Sequence, residues 1–154
     1  MTADDLKALA WLRANDAGHP VMNPATGATG WMYALDSVAP VIAHTSVADV
    51  VPARRFLALC LNRIDIDPRV RPLVDSLKID DVIVDNGGSE GLLGLDANAA
   101  IRKVENWGSV AVYRILPAAA GASATQPAAC APTTLPGWWL NEKGPYQVVA
   151  SPAG

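Results

Sequence analysis

Ile79-Asp80-Asp81-Val82-Ile83-Val84-Asp85-Asn86-Gly87-Gly88 carries the strongest structural signal in the chain. A β-branched run closed by a glycine pair reads as a central, fully buried strand that empties into a loop at its carboxyl end. Just upstream, Asp67-Pro68 opens a segment with Val70, Leu73, Val74 and Leu77 at spacings of three and four, the apolar stripe of a packed helix. Helix followed by buried strand is the pattern of an α/β layer. The expected fold is therefore an α/β sandwich of two or three layers: a short, mostly parallel sheet, helices packed on it, and a C-terminal antiparallel hairpin.

Working upstream, Asp67 is expected to cap that helix with Pro68 at its first position. Pro52 suits the first turn of the preceding helix, and Ser46-Val47-Ala48-Asp49 resembles a further cap. That helix should run to about Asn62, with Phe56, Leu59, Cys60 and Arg63 on one side. Pro20-Val21-Met22-Asn23 and Val38-Ala39-Pro40-Val41-Ile42-Ala43 read as short strands. Pro40 has no N–H to donate, which confines it to a strand start or an edge. Between them lie the loop Pro24-Ala25-Thr26-Gly27-Ala28-Thr29-Gly30 and a helical turn at Trp31-Met32-Tyr33-Ala34-Leu35. At the start of the chain, Thr2-Ala3-Asp4-Asp5 has the spacing of a capping box with Asp in the Glu position. Leu6, Leu9, Ala10 and Trp11 are expected on the buried side of that first helix, which Asn15-Asp16-Ala17-Gly18 stops.

Downstream, Ser89-Glu90-Gly91-Leu92-Leu93-Gly94-Leu95 reads as an irregular loop whose apolar residues fold back on the sheet. Residues 101–107 and 110–116 flank Gly108-Ser109 as the arms of a β-hairpin. The α/β domain thus covers residues 1–116. Residues 117–136 are rich in Ala and Pro and uncharged, a composition that buries too little to offset its ordering entropy, and read as a linker. Residues 137–154 form a tail, with Gly137-Trp138-Trp139-Leu140 and Tyr146-Gln147-Val148-Val149 as candidates to dock as a short strand.

Composition sets outer bounds on function. A net charge of −3 argues against nucleic acid, which calls for a basic face to displace phosphate counterions. No run approaches the roughly 18 consecutive apolar residues of a membrane crossing, and no charged-then-apolar signal peptide precedes Ala3. Cys60, in an apolar helical context, reads as a small buried residue; a bridge to Cys130 requires an oxidising compartment. Two distant Cys and two lone His have no metal-ligand spacing, and no cofactor is expected.

Candidate chemistry is thin. Asp80, Asp81 and Asp85 crowd the strand, and paired carboxylates can share acid–base work, but they also serve simply to turn the chain before and after it. Loops at the carboxyl ends of parallel strands are where open α/β sheets hold ligands, which makes Asn86, Gly87 and Gly88 a candidate contact. Gly27-Ala28-Thr29-Gly30 stands where a dinucleotide fold has its phosphate loop. It lacks the three-glycine fingerprint and the later acidic residue. His19 and His44 have neither a nucleophile elbow nor an obvious acid behind them, and read as surface or loop residues. Trp31, Tyr33, Trp138 and Trp139 suit a sugar-stacking platform, although the core also competes for the first two.

The residues Ala8-Leu9-Ala10-Trp11-Leu12, Val21-Met22-Asn23, Gly30-Trp31-Met32-Tyr33-Ala34-Leu35 and Pro40-Val41-Ile42-Ala43-His44 form an ordered set. With Asp67-Pro68-Arg69-Val70, residues 77–88 and residues 110–115, they resemble the C-terminal extracytoplasmic domain of actinobacterial polytopic membrane proteins with GT-C glycosyltransferase-like architecture. The resemblance spans about residues 3–116. It implies a domain outside the cytoplasm, attached in its relatives to a transmembrane body that would hold any glycosyl transfer. It also implies a contact with glycan or lipid-linked sugar around Asn23, Gly30, Trp31 and Tyr33. This chain has no transmembrane helix, so the expectation is an excised domain or a free-standing derivative.

Three functional readings follow. The first is a non-catalytic accessory domain of a cell-envelope membrane protein, contacting glycan, lipid-linked sugar or a protein neighbour. The second is a small α/β nucleotide- or ligand-binding enzyme domain that uses residues 27–30 and 86–88. The third is an interaction module that docks through Trp138-Trp139.

Overall fold

The computed structural model describes residues 1–16, 18–24, 32–43, 51–85, 89–120 and 130. Among the described residues four α-helices precede the strands: α1 (Ala3–Asn15), α2 (Met32–Asp36), α3 (Pro52–Cys60) and α4 (Val70–Leu77). The strands are β1 (Asp81–Val84), β2 (Ile101–Trp107) and β3 (Val110–Ile115), and one-turn 3-10 helices lie at Leu61–Arg63, Glu90–Leu92 and Leu95–Ala97.

The three strands pair in the order β1-β3-β2 and every pairing is antiparallel, which corrects the expected mostly parallel sheet. The strand at the centre is β3, not β1. Parallel pairing among the described residues is confined to isolated bridges, Val21 with Pro40 and Met22 with Val82. Proline explains why they do not grow. Val21 sits between Pro20 and Met22, its partner is itself a proline, and Pro24 follows Asn23, so the neighbouring ladder positions lack an N–H to donate.

The expected full burial of the Val82 region holds, and its cause is visible in the packing. Val82 enters a core with Phe56, Leu57 and Leu61 from the α3 side, Leu73, Val74 and Leu77 from α4, and Tyr113 and Ile115 from β3. Ile83, one residue on, enters a second core with Ala8, Leu9 and Leu12 of α1, Met32 of α2, and Val110 and Val112 of β3. Alternation along β1 and β3 thus feeds opposite faces, and the molecule is three layers with the sheet in the middle.

The helices depart from expectation in detail. The Thr2 capping box forms, with Thr2 accepting from the Asp5 N–H and the Asp5 carboxylate accepting from the Thr2 N–H. Its buried face is Asp5, Ala8, Leu9 and Leu12, turned from the expected stripe: Leu6 and Ala10 face solvent and Trp11 is half-buried. Asp5 is held inward by the box, which sets the rotation. Pro52 does begin α3, but the α-helix tightens to a 3-10 turn after Cys60 and leaves Arg63 exposed. Asp67 does not cap α4 as expected: the helix begins at Val70 with Arg69 as its N-cap and no side-chain cap, and Asp67 instead accepts the Arg69 backbone N–H at 3.0 Å in the turn that precedes it.

The segment after β1 does fold back, and glycine makes it possible. Gly91 lies against the backbone of α3, so that a Cβ there would stand 2.5 Å from the Leu59 carbonyl carbon, 2.8 Å from the Ala58 oxygen and closer still to the Cys60 nitrogen. Leu92 and Leu95 are buried in consequence, while Leu93 points out. At the hairpin, Trp107 pairs with Val110 across Gly108-Ser109, and Gly108 takes the positive φ that the turn requires.

Cys60 and Cys130 form a disulfide with their Cα atoms 5.7 Å apart. Cys60 is both the buried residue and the bridged one. Among the described residues no helix is long and apolar enough to cross a membrane. The caps at residues 46–49 and the tail at 137–154 lie outside the described residues.

Candidate functional site

The two parallel bridges align the segment around Val41, the segment around Val21 and β1 in one direction, so their carboxyl ends emerge side by side. Pro24, Ala43 and Asp85 are the last described residues at that edge. Asn23 organises it. Its side chain is fully buried; Nδ2 donates to the carbonyls of Pro24 and Ile42 at 2.9 Å each, and Oδ1 accepts the Ile42 N–H at 2.9 Å. A side-chain amide here supplies the pairing with residue 42 that the backbone does not. Asn23 therefore sets the geometry of the edge from within. Arg54 reinforces it from α3, donating to the Val41 carbonyl at 2.9 Å.

Tyr33 stands on α2 with 69% of its surface exposed, so the structure resolves the competition between core and surface in favour of surface for this ring. Its neighbour Met32 is the residue that plugs the core. Gly27, Gly30, Trp31, Asn86, Gly87 and Gly88 lie outside the described residues, as do His44, Trp138 and Trp139.

Asp80 and Asp81 each meet a different basic side chain. Asp81, 1% exposed, receives Nε and Nη2 of Arg114 at 2.9 Å each, and the pairing holds the guanidinium above its ordinary pKa. Asp80 meets His19 Nδ1, so this histidine is matched to a carboxylate at the surface. Asp16, at the end of α1, accepts the His19 backbone N–H; burial, the largest influence, raises its pKa, and the charge of Asp81 adds to the rise. The guanidinium of Arg114 also lies 5.7 Å from the Trp11 ring centroid. The sequence shows Trp11 and Arg114 only as an apolar and an alternating position; their meeting depends on how α1 crosses the sheet.

A cleft of about 310 Å³ opens on another side, lined by Asn62, Arg63, Asp65, Leu93 and Asn98 among others. Its walls are tied by Asn62 Nδ2, which donates to the Glu90 and Leu93 carbonyls, and by Asp65, which accepts the Ala99 and Ala100 N–H groups. Among the described residues no group of three or more His, Cys, Asp or Glu is placed to hold a metal.

Helices on both faces of a short sheet, with chain exits at one edge and Asp80 and Asp81 paired, define a small mixed α/β domain. The C-terminal globular domain of an oligosaccharyltransferase from Archaeoglobus fulgidus has a similar fold, with a TM-score of 0.54 and 13% identity over 75% of this chain and 98% of that one. The chain belongs to the family of unknown function DUF6541, whose pattern matches residues 1–116. Comparison with curated proteins gives no match.

Proposed function

We propose that this chain is a non-catalytic, extracytoplasmic accessory domain of a cell-envelope membrane protein, and that it contacts glycan or lipid-linked sugar. The observation that carries the reading is the likeness of fold to a domain that is itself the C-terminal globular part of an oligosaccharyltransferase, matched over nearly its whole length. The Cys60–Cys130 bridge supports the compartment, because disulfides persist where the environment is oxidising. The transmembrane body in such an arrangement would hold the transfer chemistry, and this domain would present the acceptor or donor glycan to it.

We assign the contact to the edge where Pro24, Ala43 and Asp85 emerge, to Gly27, Gly30, Trp31, Asn86, Gly87 and Gly88 in the sequence that follows those exits, and to Tyr33, which is exposed on α2. Asn23 acts there by positioning. An aromatic ring open to solvent suits the apolar face of a pyranose, as expected of a stacking contact.

The test is saturation-transfer NMR on the intact chain with arabinan, galactan and mannan fragments and a short-chain polyprenyl-phosphate sugar. Binding that Tyr33→Ala or Trp31→Ala weakens about tenfold, with the melting temperature unchanged, is the expected result. Silence across the whole panel overturns the glycan contact.

A further inference from the structure

Residues 117–129 follow the family-matched region, and their composition alone reads as a linker. The described residues at either end of that segment are held by neighbouring arginines. Arg71 Nη1 donates to the Leu116 carbonyl at 2.9 Å, and Arg69 Nη2 donates to the Cys130 carbonyl at 3.2 Å. Arg71 is the second residue of α4 and Arg69 directly precedes that helix, so a single turn of chain takes hold of the segment both where it leaves and where it returns.

The return point is built into the body. Arg69 is fixed by the fully buried Asp67, whose carboxylate accepts its Nε at 2.9 Å and its Nη2 at 2.7 Å, and its guanidinium lies 4.9 Å from the Phe56 ring centroid. Cys130 packs against the α3–α4 core and is bonded through sulfur to Cys60 of α3. We infer that the segment between Leu116 and Cys130 is a loop of this domain closed at both ends, so that the folded unit extends past the family-matched region to Cys130 on the α3–α4 face.

The chemistry of the bridge makes this latch durable. Cys60 is fully buried, so an external thiolate reaches only the sulfur of half-buried Cys130. Attack there forms a mixed disulfide and expels Cys60 as a thiolate, which must take up a proton in apolar surroundings that disfavour its charge. The second thiol of a dithiol then closes on the first and releases Cys130. Two electrons pass from dithiol to bridge, but the leaving step is slow while the domain stays folded.

Two measurements on the full chain test the inference. Reduction by dithiothreitol, followed by alkylation and mass spectrometry, is expected to run at least about tenfold slower in native buffer than in concentrated urea. Two alkylatable thiols in the air-oxidised protein, or equal rates in both solvents, would overturn the latch. Elastase cleavage within residues 117–129 is expected to speed up severalfold in both Cys130→Ser and Arg69→Ala, with cooperative melting retained. A spacer is cut at the same rate in wild type and variants, and that result would overturn the closed loop.

Discussion

Asp81 and Arg114 stand opposite each other across the β1–β3 pairing, joined by two hydrogen bonds of 2.9 Å, with the carboxylate 1% exposed and the guanidinium side chain 37% exposed. This difference in exposure makes the pair asymmetric. Arg114→Met strands a buried carboxylate and is expected to cost about 3 kcal/mol, whereas Asp81→Asn leaves a guanidinium that can reach water and should cost about 1–2 kcal/mol. Urea unfolding followed by circular dichroism measures both; equal losses would show that Asp81 reaches solvent.

Gly91 and Gly94 separate space from backbone conformation. Gly91→Ala drives a methyl into the α3 backbone and is expected to cost about 2–3 kcal/mol. Gly94 has φ +67 with nothing near its added carbon, so Gly94→Ala should cost only about 1 kcal/mol. Thermal melts that rank the two in the opposite order would contradict the close packing of Gly91 on α3.

Asn23→Ala removes three hydrogen bonds and takes the amide partner from the buried N–H and carbonyl of Ile42. The expected loss is about 2–4 kcal/mol, together with faster hydrogen exchange at Ile42. An unchanged exchange rate at Ile42 would remove Asn23 from its positioning role.

The acid limb of stability contains two opposed carboxylates. Burial pushes the Asp67 pKa up, but the hydrogen bonds and charge of Arg69 outweigh it and hold the carboxyl below its ordinary value. The unfolded chain therefore binds that proton first, and the stability Asp67 contributes is present above its unfolded pKa and is lost as pH falls through its lower folded one. Asp16 has the reverse sign. Its raised pKa means that the folded chain protonates first, so its ionised form is a burden at neutral pH that is relieved as pH falls through the raised value. Unfolding titrations should show Asp67→Asn flattening the loss of stability at low pH, and Asp16→Asn gaining stability at pH 7 with the gain vanishing in acid.

The local elements were largely legible because their causes are local. The capping box at Thr2, Pro52 at the start of α3 and the Gly108-Ser109 hairpin each depend on residues within a few positions of one another. The surroundings of Asn23 were not legible. An exposed asparagine and a buried one read alike in sequence, and it is the Ile42 backbone that shows Asn23 to be buried. Arg114 carried no signal at all, since its significance comes from Asp81 and Trp11, 33 and 103 positions away by residue number.

Sequence alone determined the helices, the C-terminal hairpin and the segment buried on both faces, since periodicity and capping act over a few residues, but not that residues 20–23 and 38–43 stop at isolated bridges. Tertiary structure decided the sense of the sheet, the placement of β3 at its centre, and the pairing of Cys60 with Cys130. The physical reason is that a strand's side-chain pattern records how many of its faces are buried, while its partners and their direction are set by contacts between residues far apart in the chain.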